Sequence, residues 1–259
     1  MDKDDTWWPR PQDVPAALGL LTRLPIPVDG AAAAARGAAA AWAWPIAGAV
    51  VGLLGAAAGG LALWLGLAPG AAAALAIATQ MMVTGALHED GLADTADGLW
   101  GGWDKARRLA IMKDSRIGTY GVLALVMVTL LRWVALAALF TAGTPVAALI
   151  AAGALSRAPM AVLMAALPNA RGSGLSQSVG QPGVPTVVLG LGVALACGGL
   201  ALGLPVLGTA LCFGLSLDIV PQLYVSVPSW LRPLFGLKPP GRLPRPSPAT
   251  PGRPGAHSA

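Results

Sequence analysis

Charge is scarce in this chain: Asp, Glu, Lys and Arg make up 11% of its 259 residues, against about a quarter in soluble domains. Between residues 37 and 87 there is no charged side chain at all. A stretch of that length cannot stay in water, which excludes an ordinary soluble domain. Cysteine is almost missing as well, with only Cys197 and Cys212, both inside apolar stretches. That excludes a disulfide framework, and the two thiols read as inert and membrane-buried. The N-terminus, with Asp2, Lys3, Asp4 and Asp5 ahead of Trp7-Trp8-Pro9, lacks the cationic start and apolar centre of a cleavable signal peptide. The first span itself is expected to direct insertion. No nucleic-acid motif accompanies the net charge of +5, so that charge reads as a topology signal and an attraction to anionic headgroups.

What the chain does have is long apolar runs, over residues 44–68, 70–87, 121–142, 146–167, 184–204 and 205–220. Each approaches the ~20 residues of a spanning helix. Lipid cannot satisfy an open sheet edge, and the alternation of barrel strands is missing. The expected fold is therefore all-α, a polytopic membrane bundle of about six spans. Lys and Arg mark alternate loops: Arg23 and Arg36, then Lys105, Arg107, Arg108, Lys113 and Arg116, then Arg171, then the arginines of residues 232–253. The positive-inside rule puts both termini on the cytoplasmic face. Residues 1–227 read as the membrane domain and 228–259 as a Pro-rich basic tail unable to pack. Residues 12–27 carry Val14, Leu18, Leu21 and Leu24 at helical spacing, which predicts a short interfacial helix stopped by Pro25 and Pro27. Gly48, Gly52, Gly55, Gly59 and Gly60 make the first span a candidate for close helix packing.

The acidic residues are not spread evenly. Of the 12 in the chain, Glu89, Asp90, Asp94, Asp97, Asp104 and Asp114 lie within residues 89–114. If the segment around residue 90 is helical, Asp90, Asp94 and Asp97 stand at i, i+4 and i+7, within an arc of about 60°. Three carboxylates on one face suit Mg²⁺, which takes one or two carboxylates, several waters and substrate phosphates. Zinc is the alternative, but only His88 offers nitrogen. This predicts a metal site of Asp90, Asp94 and Asp97 facing the cytoplasm.

Lys105 to Gly118 follows, with Asp104 as the expected N-cap of a basic amphipathic helix. Arg107, Arg108, Lys113 and Arg116, with Asp114 between them, put cations beside the carboxylates. A metal on one side and cations on the other is the arrangement that phosphoryl transfer uses to hold and neutralise a diphosphate. Solvation of a cytoplasmic loop is the plainer reading of Arg107 and Arg108. His88 is open to two roles, general base for a hydroxyl nucleophile or hydrogen-bonding brace for the carboxylates. Arg132 reads as a snorkelling side chain or a functional one. Arg157, in mid-span, reads as a partner for the acidic cluster or for a substrate phosphate. Asp218 has no assignment.

The run His88-Glu89-Asp90-Gly91-Leu92-Ala93-Asp94-Thr95-Ala96-Asp97-Gly98, with Ile111-Met112-Lys113-Asp114-Ser115-Arg116-Ile117-Gly118-Thr119-Tyr120-Gly121 after it, resembles the cobalamin synthase family. Leu21-Thr22-Arg23-Leu24-Pro25-Ile26-Pro27 looks like that family's N-terminal motif, and Ser156-Arg157 like its later Ser-Arg pair. The likeness runs in order over about residues 15–210. It implies a Mg²⁺-dependent enzyme of the bacterial cytoplasmic membrane, an adenosylcobinamide-GDP ribazoletransferase. Such an enzyme joins adenosylcobinamide-GDP to α-ribazole or its 5′-phosphate, releases GMP, and gives adenosylcobalamin or its phosphate. The chain departs from the family where a Gly-Gly-x-Thr-Gly-Asp run is expected near the last span; none occurs after residue 200.

Two rival readings differ in what they require. A CDP-alcohol phosphotransferase also clusters aspartates around a metal, but its Ala-Arg pair and later Gly-x-x-x-Asp-x-x-x-Asp spacing are absent. A cation transporter needs carboxylates at mid-membrane depth and a symmetry-related second half, and no duplicate of the acidic motif occurs.

Overall fold

The computed structural model describes residues 8–203 apart from 144 and 171, and every segment of regular structure among them is helical. The chain runs α1 (Asp13–Leu21), α2 (Gly30–Arg36), a 3₁₀ segment (Gly37–Ala43), α3 (Trp44–Trp64), α4 (Pro69–Thr84), α5 (Leu87–Gly101), α6 (Lys105–Ile111), α7 (Thr119–Thr141), α8 (Pro145–Ala166), α9 (Leu175–Val179) and α10 (Val184–Leu202). Four helical stretches are long and apolar enough to cross a membrane: Gly30–Trp64, Thr119–Thr141, Pro145–Ala166 and Val184–Leu202. This is the pattern of a multi-pass membrane protein. The sixth expected span, Cys212, Asp218 and the tail lie outside the described residues.

The second expected span needs correction. Residues 70–87 do not form one continuous helix; α4 stops at Thr84, and α5 leaves at 89° to it. The break is local backbone chemistry. Gly85 and Ala86 both take left-handed conformations, with φ of 62° and 56°, and an α-helix cannot propagate through that region. Together α4 and α5 still have the composition of one span, so the described part holds up to five spans rather than a demonstrated six.

The bundle is built on α3, which packs most extensively on α8 and α4. Its contact with α8 is backbone to backbone. A Cβ on Gly48 would collide with the Gly153 carbonyl, one on Gly52 with the Leu149 carbonyl, and one on Gly153 with the Gly48 carbonyl. Small residues at this seam let dispersion contacts replace the hydrophobic drive that lipid removes. Gly60, included in the same expected stripe, meets nothing within 4 Å. One core cluster joins Ala56, Ala72, Ala76 and Ile77 to Leu136, Phe140 and Leu149, and a second joins Leu21, Trp44, Ala161 and Val187.

The helix expected within residues 12–27 is present as α1, but it ends before Pro25 and Pro27. Thr22 turns to extended backbone, and its Oγ1 donates to the Leu18 carbonyl at 2.6 Å. What holds α1 is a charge the sequence did not flag. Asp13 is fully buried and receives Arg36 Nε at 2.8 Å, Arg36 Nη2 at 2.7 Å and Trp42 Nε1 at 2.8 Å. Burial pushes the Asp13 carboxyl upward most strongly, but hydrogen bonds from Arg36, Trp42 and the Arg10 amide outweigh it and leave the pKa below its ordinary 3.8. Breaking such a pair strands a buried charge, at about 3–5 kcal/mol. Asp13→Ala is therefore expected to lose that much stability. Because the folded pKa is depressed, the contribution is complete above the ordinary value and disappears as pH falls through the lowered one. Thermal unfolding in detergent from pH 7 down to pH 3 checks both, and an acid-labile step absent from Asp13→Ala is the expected signature.

Candidate active site on the fourth and fifth helices

The acidic motif is helical as expected, and α5 carries all of its carboxylates. Asp90 is exposed and Asp94 half-buried, one turn apart. Asp97 is buried and turned into the protein. Its Oδ2 accepts the Gly118 amide at 2.7 Å and its Oδ1 accepts the Gly121 amide at 2.8 Å. These are amides of the first turn of α7, where a helix has N–H groups with no intrahelical acceptor and a positive dipole end. Asp97 is thus a capping carboxylate supplied from another helix. The three aspartates share a face, with Asp97 hydrogen-bonded to α7, Asp90 exposed and Asp94 half-buried. Among the described residues, no three His, Cys, Asp or Glu side chains come together to hold a metal ion.

This anchor explains why two sequence motifs far apart in the chain belong together. A Cβ on Gly118 or Gly121 would collide with the Asp97 carboxylate. The glycines leave the space that the carboxylate fills. A Gly-x-x-Gly at a helix start, downstream of an acidic motif, was the available signal.

His88 occupies different ground. At about 100° per residue it stands about 160° around α5 from Asp90. Both ring nitrogens are buried with no hydrogen-bond partner, so His88 braces none of the carboxylates. Nor does it lie on the face of α5 that carries Asp90 and Asp94. The charges acting on it come from Arg157, Glu89 and Arg132. Arg157 is therefore on the His88 side, with Nη1 donating to Ser156 Oγ at 2.6 Å and its stem packed against Gly48.

The cations expected to bind substrate divide into two groups. Asp104 caps α6, accepting the Arg107 amide at 2.9 Å as the sequence predicts. Arg107, Lys113 and Arg116 are exposed beyond that cap. Arg108 is half-buried and donates from Nε to the Gly102 carbonyl at 3.0 Å, bracing the turn between α5 and α6. Asp114 receives Arg116 Nε at 3.3 Å and Nη2 at 3.2 Å. Those hydrogen bonds hold its carboxyl below the ordinary range, but the pair is exposed and open to screening. Trp100 stacks on Tyr120, with ring centroids 6.2 Å apart, and closes the α5–α7 corner.

Sequence reasoning missed the remaining polar contacts. Arg132 Nη1 donates to Glu89 Oε1 and its Nη2 to Gln80 Oε1, both at 2.9 Å. Arg23, from the N-terminal motif, lies with its side chain against Gly85 and donates its amide to the Val83 carbonyl at 2.7 Å. The 21–27 segment therefore lies against the bend between α4 and α5, just ahead of the 88–98 motif in the chain.

An all-helical chain with several helices able to cross a membrane, and with carboxylates and cations gathered on α5 and α6, is a multi-pass membrane protein with one polar corner. The family model for cobalamin-5-phosphate synthase matches residues 13–229. Adenosylcobinamide-GDP ribazoletransferase of Bradyrhizobium diazoefficiens is 48% identical over 191 residues, 74% of either chain. The proteins of the same name from Mesorhizobium japonicum and Azorhizobium caulinodans are 47% identical over 180 residues and 50% over 185, covering 69% and 68% of this chain and 68% and 69% of their own. No solved structure matches the chain. The chain belongs to the cobalamin-5-phosphate synthase family, and it is a transferase of cobalamin synthesis.

Proposed function

We propose that this chain joins adenosylcobinamide-GDP to α-ribazole or α-ribazole 5′-phosphate and releases GMP, giving adenosylcobalamin or its 5′-phosphate. The observation that carries the reading is the open face of α5. Asp90 and Asp94 stand one turn apart on it, and Asp97 pins the following turn to α7. Two carboxylates without a third ligand fit Mg²⁺, which completes its shell with water and phosphate oxygens rather than a closed protein cage. Asp90 and Asp94 are the residues to hold it. When bound, the ion supplies neutralisation of charge on the diphosphate oxygens. In the reaction a ribose hydroxyl oxygen bonds to the cobinamide-side phosphorus, the phosphorus–oxygen bond to GMP breaks, and the hydroxyl proton passes to water at the exposed face. Arg107, Lys113 and Arg116 hold nonbridging oxygens as exposed cations. Arg108 acts by keeping α6 against α5.

The site is read as facing the cytoplasm of the bacterial inner membrane, where charged nucleotides are found; the distribution of Lys and Arg among the loops supports that reading. Purified full-length protein in lipid nanodiscs, given adenosylcobinamide-GDP, α-ribazole 5′-phosphate and Mg²⁺, is expected to yield GMP and one new corrinoid in equal amounts by chromatography. GMP without a corrinoid product, or neither compound, would overturn the reading.

A further inference from the structure

The 89° bend between α4 and α5 sets where Asp90 points, so what fixes that angle matters to the site. The two helices scarcely touch each other; α5 packs chiefly on α7, whereas α4 packs first on α3 and then on α7. Their far ends have ties of their own. Trp133 Nε1 of α7 donates to the Gly70 carbonyl at the start of α4 at 2.8 Å, and Asp97 caps α7 from the last turns of α5. At the bend, backbone preference does not favour the observed shape. Ala86 is the non-glycine residue with positive φ among the described residues, and a Cβ disfavours that region.

Arg132 spans this bend. It projects from the middle of α7, where an ionisable group in an apolar span is costly unless partnered. One arm of its guanidinium takes Gln80 in the last turns of α4, and the other takes Glu89 in the first turn of α5. The planar fork holds two acceptors in a fixed relation, which a flexible ammonium does not. Arg132 and Glu89 are 28% and 16% exposed, shielded enough for the contact to persist. Glu89 is the neighbour of Asp90 in sequence, at about 100° around the helix. Holding Glu89 against α7 therefore fixes the rotation of α5 that turns Asp90 outward.

We infer that Arg132 is a positioning residue, a brace across the α4–α5 bend that sets the orientation of the Asp90–Asp94 face through Gln80 and Glu89. Its catalytic consequence rests on the function proposed above; its structural consequence does not. Two measurements on full-length protein in nanodiscs separate them. The first places spin labels at Leu75→Cys and Gly91→Cys, both exposed sites on α4 and α5, with Cys197→Ser and Cys212→Ser. The distance distribution is expected to be narrow, and to broaden or shift when Arg132→Gln is added. An unchanged distribution overturns the brace.

The second measures GMP release without labels. Arg132→Gln is expected to lower kcat by about 10- to 100-fold, the usual range for groups that orient a ligand, with KM for adenosylcobinamide-GDP within about twofold. Arg132→Lys is expected to recover little, because it cannot fork. Exchange of the pair, Glu89→Arg with Arg132→Glu, is expected to recover much of the lost kcat. A merely structural lesion would reduce the yield of folded protein and leave kcat per folded molecule intact; that result overturns the positioning role. Absence of GMP from the unsubstituted chain would overturn the proposed reaction, and the label distances would still decide the brace.

Discussion

Asp94→Asn is expected to lower GMP release by more than a hundredfold at limiting Mg²⁺. Loss of a group that merely orients a metal ligand costs about 10–100-fold, and a direct ligand has to cost more. The amide keeps the size and helical setting of the carboxylate but removes the negative charge that a hard divalent cation requires. Raising Mg²⁺ should restore part of the rate, because Asp90 remains one turn away on the same helix. Initial rates over a Mg²⁺ titration, with folded protein quantified by size-exclusion chromatography, make the measurement. Undiminished release at limiting Mg²⁺ removes Asp94 from the metal site.

The second large effect is structural. Gly121→Ala places a methyl group onto the Asp97 carboxylate and close to the Ala93 carbonyl. Overpacking of this kind costs about 1–3 kcal/mol. Displacing Asp97 also leaves the Gly118 and Gly121 amides without their acceptor, at about 1–3 kcal/mol for each buried group left unpaired. The low end of these ranges, about 3 kcal/mol in all, corresponds to a fall of about 6–12 °C in Tm for a domain of this size. The double variant with Asp97→Ala is expected to lose less than the sum of the two single losses, because the added methyl then has nothing to strike. Additive losses in thermal unfolding would show that the carboxylate and the glycines act independently.

The sequence shows plainly those features that follow from composition and short-range pattern. Missing charge marks the membrane, and the spacing of Asp90, Asp94 and Asp97 marks one face of a helix. Asp104 as the cap of α6 and Val14, Leu18 and Leu21 as the face of α1 are legible for the same reason: local chemistry decides each. The bend at Gly85 and Ala86 is not legible, because hydropathy runs unbroken across it and a left-handed alanine violates the preference from which helices are read. The destination of Asp97 is hidden for a different reason. Spacing places a side chain on a face, but the amides that capture it come from a helix start more than twenty residues later. Arg132 likewise reads as a snorkelling cation until α4 and α5 are folded around it. Arg36 reads as a loop cation and Asp13 carries no signal, and only packing makes them a buried pair.

The glycine contact between α3 and α8 also limits traffic through the protein. With Gly48 and Gly153 meeting carbonyl to α-carbon, the two backbones leave no slot as thick as an aromatic plane. A tetrapyrrole-sized molecule has no passage along that line.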